Sequence, residues 1–287
     1  MVLLLAVDGG GSGCRALVAD PSGRILGRGQ GGAANILTDL DTARDNILVA
    51  ATAALVDSGQ AERLADLVAV LGLAGANVAG TAARLTALLP FAQVRVETDA
   101  AIALAGAHHD QDGIAATIGT GSVFASQRAG VRRLIGGWGL VLGDEGSGAW
   151  IGRAALAQVL AAQDGFVPLT PLLAALRDRL GSADAVVAFA HSACPGDFAQ
   201  LAPDVVAAGD ADPAARTILR QADTLITRAV DHLQTDGALP VAFLGGLGAV
   251  FAARLAERYS GLLRGAKGSA LDGALWLARQ DAVGLGG

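Results

Sequence analysis

The chain is short of cysteine, of lysine and of long apolar runs, and each shortage closes off a class of function. Two cysteines, Cys14 and Cys194, occur in 287 residues, with no C-x-x-C. Neither a zinc knuckle nor a redox dithiol is indicated, and Cys14, alternating with Arg15, is expected as a small buried strand residue. Lysine occurs once, at Lys267, between Ala266 and Gly268. A Walker A loop, which needs Gly-Lys-Ser/Thr, is therefore absent. The net charge is −6 and no basic stripe interrupts it, which argues against nucleic acid and against attachment to anionic lipid. The apolar run 67–76 is shorter than the roughly 20 residues a membrane-spanning helix needs. The opening run 1–7 has no basic flank and ends at Asp8, unlike a signal peptide. A cytoplasmic protein without a membrane or nucleic-acid partner is expected.

What is abundant is glycine, 40 residues, and two short glycine turns carry most of the information. Asp8-Gly9-Gly10-Gly11-Ser12-Gly13 and Ile118-Gly119-Thr120-Gly121-Ser122 each join one apolar strand-like run to another. Both predict strand, hairpin, strand. Turns of glycine and hydroxyl residues expose backbone N–H groups that form an anion nest, so two of them suggest one polyphosphate gripped from two sides. A plain hairpin turn remains the alternative for each. Gly11 to Ala16 fits G-x-G-x-x-A formally, but a dinucleotide motif must open a helix, and here an alternating strand follows.

The pattern predicts three strands over 2–30, a helix over 40–56, a strand over 67–73, a helix over 81–89, a strand over 94–96 and a helix over 100–107 N-capped by Asp99. The strand pattern repeats over 113–136. Residues 147–234 read as helical with breaks at Pro168, Pro171, Gly181, Pro195 and Pro213. A strand over 241–244 and helices over 249–259 and 270–279 complete the chain. The polar stretch 108–113 marks a boundary. The expected domains are 1–112 with 270–287, and 113–269 with a helical insertion.

Several residues carry chemistry. Asp8, at a strand end, suits Mg²⁺, which takes few carboxylates and keeps several waters. Asp99 is either a general base or a helix cap. Asn35 is a substrate contact or a turn residue. Gly245-Gly246, after a strand, leaves a flat surface for adenine or makes a strand-to-helix turn. The stretch Gly136-Gly137-Trp138-Gly139 to Gly143-Asp144-Glu145-Gly146-Ser147-Gly148 combines an aromatic ring with adjacent carboxylates, the equipment of a sugar site.

Together these residues resemble the N-acetylglucosamine/glucosamine kinases of the BadF/BadG/BcrA/BcrD group, in the actin-like superfamily. The likeness spans nearly the whole chain and is most specific over 136–148. It implies an α/β fold of two actin-like (ribonuclease H-like) lobes and an ATP- and Mg²⁺-dependent kinase acting on the 6-hydroxyl of glucosamine or N-acetylglucosamine. It implies Asp99 as the catalytic residue, Asp8 at the metal, and Asn35, Trp138, Asp144 and Glu145 at the sugar. ATP would be held by Gly10, Gly11, Ser12, Gly13, Gly119, Thr120, Gly121, Ser122, Gly245 and Gly246. A homodimer is also implied. The sequence departs from the group at Gly13, where a basic residue is frequent, leaving phosphate contact at that turn to the backbone. It departs again at Val123, where some members have Asn, and at Asp272. The alternatives are an ATPase activator of a 2-hydroxyacyl-CoA dehydratase, which needs cysteines placed to share an iron–sulfur cluster, and a non-catalytic sugar-sensing protein.

Overall fold

Two uninterrupted apolar runs form the centre of the first sheet, because both of their faces are covered. The computed structural model describes residues 2–59 and 64–283. β1 (Leu3–Gly9) and β4 (Leu67–Leu73) run parallel at the middle of a five-stranded sheet of order β3-β2-β1-β4-β5. β2 (Cys14–Ala19) and β3 (Ile25–Gly31) add antiparallel on one side, and β5 (Gln93–Thr98) adds parallel on the other. Successive side chains point to opposite faces. Leu3, Leu5, Val7 and Leu71 pack with helix α1 (Leu40–Ser58). Leu4, Ala6, Leu17 and Val70 pack with α3 (Asp99–His108) and α11 (Ala270–Val283). The short helix α2 (Thr81–Thr86) leads into β5.

β3 is glycine on every residue of one parity from Gly27 to Gly31, and the reason is α1. A Cβ on Gly27, Gly29 or Gly31 would lie 2.2, 2.1 or 2.3 Å from the carbonyl oxygens of Ala54, Ala50 and Asn46. Two strand residues advance about 6.7 Å and four helix residues about 6 Å, so the two repeats stay in step while the helix runs antiparallel to the strand. The helix backbone rests directly on the strand. That close approach lets the Asn46 side chain donate to the Ala33 carbonyl (2.7 Å), fixing the loop that presents Asn35.

The second unit centres on a four-stranded sheet of order β8-β7-β6-β9, from β6 (Gly113–Ile118), β7 (Ser122–Arg128), β8 (Val131–Gly136) and β9 (Val241–Leu244). β6 and β9 are parallel. Between β8 and β9 come α4 (Gly148–Gln163), α5 (Pro171–Leu180), α6 (Ala183–Ser192), α7 (Pro195–Ala199), α8 (Ala202–Ala208) and α9 (Pro213–Leu233). Pro171, Pro195 and Pro213 each open a helix, where the missing N–H costs nothing. Asp212 caps α9 by accepting from Ala214 and Ala215, and it also accepts from Leu172 at the start of α5. α10 (Gly248–Arg254) is shorter than the expected 249–259. The chain leaves the helix after Arg254, and Leu263 pairs with Val241 instead.

The chain divides into two compact units, Met1–Gly113 with Gln127–Gly130 and Gly265–Gly287, and Ile114–Ser126 with Val131–Arg264, of which the described residues are as stated above. No helix among the described residues is long and apolar enough to cross a membrane.

Candidate functional site

The expected site residues divide between the two units, and in each they gather at the carboxyl ends of parallel strands. That is where open α/β sheets place ligands. In the first unit the Gly10 N–H bonds to the Gly13 carbonyl (2.9 Å), closing the first turn with Gly11 and Ser12 exposed at its apex. A Cβ on Gly10 or Gly11 would meet nothing within 4 Å, so space stands open over the turn. The Gly10 carbonyl accepts from Ala34, and Ile36 donates to Ala74 at the end of β4. Asn35 is thereby held beside the turn. Its Oδ1 accepts from the backbone of Leu37 (3.0 Å), so in this structure the side chain also does the work of a turn residue.

Asp8 belongs to an in-register polar row that crosses four strands. Arg15 pairs with Asp8, Asp8 with Gly72, and Gly72 with Glu97. All four share parity with Leu4, Ala6, Leu17 and Val70, so the apolar face under α3 and α11 ends in this polar row. Arg15 Nη2 lies 2.6 Å from Asp8 Oδ2. Glu97 pairs with Arg95, which also reaches Asp281. A Cβ on Gly72 would come within 2.3 Å of Ile102 Cγ1, so glycine here lets α3 settle onto the sheet. Ile102 is one turn along α3 from Asp99, and its docking sets the helix start beside the row.

Asp99 is the first helical residue rather than the cap. Thr98 is the N-cap, its hydroxyl accepting from Ala101 N–H (3.1 Å), while Asp99 Oδ1 accepts from Ala100 N–H (2.8 Å). A carboxylate in the first turn is favoured by the helix dipole.

In the second unit the Gly119 N–H closes the second turn onto the Gly121 carbonyl (2.9 Å), with Thr120 exposed. The Gly119 and Thr120 carbonyls accept from Gly148 and Ala149, the first residues of α4. The helix N-terminus is thus used to dock the turn. Ser122 opens β7 and its hydroxyl donates to the Glu145 carbonyl (3.0 Å). Gly245 packs against the same turn, since a Cβ there would lie 2.4 Å from the Ile118 carbonyl, whereas Gly246 faces open space.

Asp144 is 7% exposed and sits at φ 56°. Its carboxylate lies so close to the second turn that a Cβ on Gly121 would be 2.8 Å from Oδ2. Burial pushes its pKa above the ordinary carboxylate range, and the Glu145 charge adds to this against the N–H groups of Ser122 and Gly139, which lower it. Trp138 is 68% exposed, and Arg153 Nη1 holds the Leu140 carbonyl (3.0 Å) of the same loop. Glu145 is half-buried, 3.9 Å from Arg228.

The sign of the Asp144 shift makes a prediction. An acid whose folded pKa is raised loses a proton in the unfolded chain first, so stability falls as pH rises from the unfolded pKa of about 4 through the folded value. Asp144→Asn keeps one acceptor oxygen, removes the titration and still suits positive φ. It is expected to melt above the wild type at pH 7, with the gap closing toward pH 3.5. Calorimetry at the two pH values checks it, and a gap that widens in acid would show that burial of this charge is not the cause.

Three contributors escaped the sequence pattern. Arg15 and Asn46 acquire roles only through register and helix docking. Ser147, read as the first residue of a helical segment, is instead the cap of α4, accepting from Trp150 (3.1 Å). His108, the first residue of the polar boundary stretch 108–113, is buried at the end of α3.

Comparison with known proteins gives a consistent picture. The model of the BadF/BadG/BcrA/BcrD ATPase family matches residues 5–251. Glucosamine kinase GspK of Vibrio cholerae is 32% identical over 247 residues, covering 85% of this chain and 84% of that protein. A solved candidate N-acetylglucosamine kinase from Chromobacterium violaceum is 34% identical with TM-score 0.88, over 97% of this chain and 99% of that one. A ROK family glucokinase from Streptomyces griseus, 19% identical, shares the fold with TM-score 0.57 over 97% of this chain and 98% of that one. The fold is the actin-like fold of the sugar kinases.

Proposed function

The chain belongs to the BadF/BadG/BcrA/BcrD ATPase family, and from that premise we propose that it is an ATP-dependent kinase of the 6-hydroxyl of glucosamine or N-acetylglucosamine. It acts as a cytoplasmic homodimer on a small-molecule sugar. The observation that carries the reading is the placement of Asp144. The buried acid of the aromatic, carboxylate-bearing stretch lies against the second phosphate turn, so sugar-binding and phosphate-binding chemistry are built into one piece of structure. The names of the relatives point to the same substrates.

The geometry of each unit supports the roles proposed for its residues. Asp99, oriented by the Ala100 N–H, accepts the proton of the sugar hydroxyl. The hydroxyl oxygen then bonds to the γ-phosphorus as its bond to the bridging oxygen breaks, and ADP leaves. Gly11, Ser12 and Gly13, and Thr120 and Gly121, present backbone N–H and hydroxyl groups to the phosphates, while Gly10, Gly119 and Ser122, whose own donors close and brace the two turns, shape the site. Gly245 and Gly246 receive adenine. Asn35, Trp138, Asp144 and Glu145 hold the sugar. Asp8 suits a Mg²⁺ ion: it is one carboxylate at a strand end, and no cluster of three metal-ligating side chains forms among the described residues, so water and phosphate would complete the shell. When bound, the ion offsets phosphate charge.

The test is ADP release with glucosamine, N-acetylglucosamine, N-acetylmuramic acid, N-acetylmannosamine and glucose. One of the first two is expected to exceed glucose in kcat/KM by about 100-fold or more, because a site that hydrogen-bonds a substrate group rejects analogues lacking it. Sugar binding without ADP release would point to a sensing protein, and a brown, iron-containing preparation to a dehydratase activator.

A further inference from the structure

We propose that Arg15 is a positioning residue of the phosphate site, whose guanidinium holds the Asp8 carboxylate until a divalent cation takes it and then turns onto the nucleotide phosphates. The inference rests on the reading of Asp8 as the cation ligand.

The first turn carries no cationic side chain of its own. Gly13 has none, although a Cβ there would meet only the Gly31 carbonyl, at an ordinary 3.5 Å. The positive charge stands two residues further along β2. Residues 13 and 15 share parity, so Arg15 lies on the same face as the base of the turn. The antiparallel register puts it directly opposite Asp8.

The pair is asymmetric. The Arg15 side chain is 65% exposed and the Asp8 side chain 15%. Asp8 is fixed by the strand, whereas Arg15 reaches it through a solvated stem. One nitrogen, Nη2, makes the contact, and a guanidinium has five N–H donors in a planar fork suited to phosphate. Exposed ion pairs are weak, so the arginine gives up Asp8 at small cost. A divalent ion carries twice the charge and would compete for the same carboxylate.

The chemistry therefore has opposite signs in two conditions. Without nucleotide, Arg15 and the cation compete for one carboxylate. With nucleotide, the polyphosphate needs both charges, and the displaced guanidinium becomes a phosphate donor.

Mn²⁺ is the probe, followed by electron paramagnetic resonance with and without ATP, on the wild type, Arg15→Ala, Arg15→Lys and Asp8→Asn. Thermal melting serves as the folding control. Loss of a competing exposed ion pair is expected to tighten Mn²⁺ binding in Arg15→Ala by about fivefold without nucleotide. Loss of a charge-assisted phosphate contact is expected to weaken ATP binding about 10-fold or more. The KM for sugar should move less than about twofold, because uniform loss at one substrate leaves the other untouched. Arg15→Lys should fall between, since an ammonium keeps the charge without the fork. If Asp8→Asn loses Mn²⁺ while Arg15→Ala matches the wild type in both titrations, Arg15 is a surface residue and the proposal is overturned with the Asp8 reading intact. If Asp8→Asn binds Mn²⁺ as the wild type does, the Asp8 reading fails and the proposal falls with it.

Discussion

Asp99→Asn is expected to lower kcat by about 10²- to 10⁴-fold, the usual worth of a positioned general base, while the protein still folds and binds both substrates. The side chains are isosteric. The amide oxygen can keep the bond from Ala100 N–H that Oδ1 accepts, and Thr98 still caps the helix through Ala101. What disappears is the ability to take a proton. The change also removes a negative charge from the first turn of α3, which costs about 0.5 kcal/mol of charge–dipole stabilisation and should barely move the melting temperature. ADP release at saturating ATP and sugar measures kcat, and the two KM values separate chemistry from binding. Turnover within tenfold of the wild type, with both substrates bound, would show that Asp99 is only part of the helix start.

Gly29→Ala is expected to be among the most damaging single methyls in the first unit. The added Cβ would lie 2.1 Å from the Ala50 carbonyl oxygen and 2.6 Å from the Ala54 nitrogen. Both are backbone atoms of one helix, so no side-chain rotation relieves the overlap and α1 as a whole must lift. Overpacking costs about 1–3 kcal/mol where side chains can yield, and here the yielding element is a helix whose Ile47, Ala51 and Leu55 are fully buried. We expect a loss of about 3 kcal/mol or more and melting about 10 °C lower, at the several degrees per kcal/mol typical of domains this size. Lifting α1 also moves Asn46 off the Ala33 carbonyl, so the KM for sugar should rise through Asn35. Gly265→Ala is the control, since a Cβ there meets nothing within 4 Å and should change stability by less than about 0.5 kcal/mol. Melting of Gly29→Ala close to that of the control would refute the direct helix-on-strand contact.

The local elements were legible wherever one signal dominated. The apolar runs at Leu3–Gly9 and Leu67–Leu73 became strands, and the periodic run from Leu40 became α1, because period and length left one assignment. Boundaries failed where two residues could serve one purpose. Thr98 and Asp99 both cap helices in general, and the hydroxyl took the cap, leaving the carboxylate one residue inside. Arg254 to Tyr259 carries a helical pattern, yet pairing of Leu263 with Val241 ends α10 early. The two glycine turns were readable as turns; that Ala34 would claim a carbonyl of the first, and Gly148 and Ala149 the carbonyls of the second, was not.

By itself, then, the sequence determined which residue types could do chemistry. Single carboxylates at strand ends, glycine turns and an aromatic beside two acids are local patterns, written within a few residues of chain. The tertiary structure alone decided their company. Asp8 meets Arg15 because antiparallel register sets them opposite. Asp144 is buried against Gly121 because the stretch after β8 folds back onto the turn before β7. The glycines of β3 matter because a helix backbone lies on them. Asp8 and Arg15 stand seven residues apart in one hairpin, where only the register had to be settled, but docking and burial depend on residues distant in the chain, such as Gly29 with Ala50 and Gly121 with Asp144, which no short window contains.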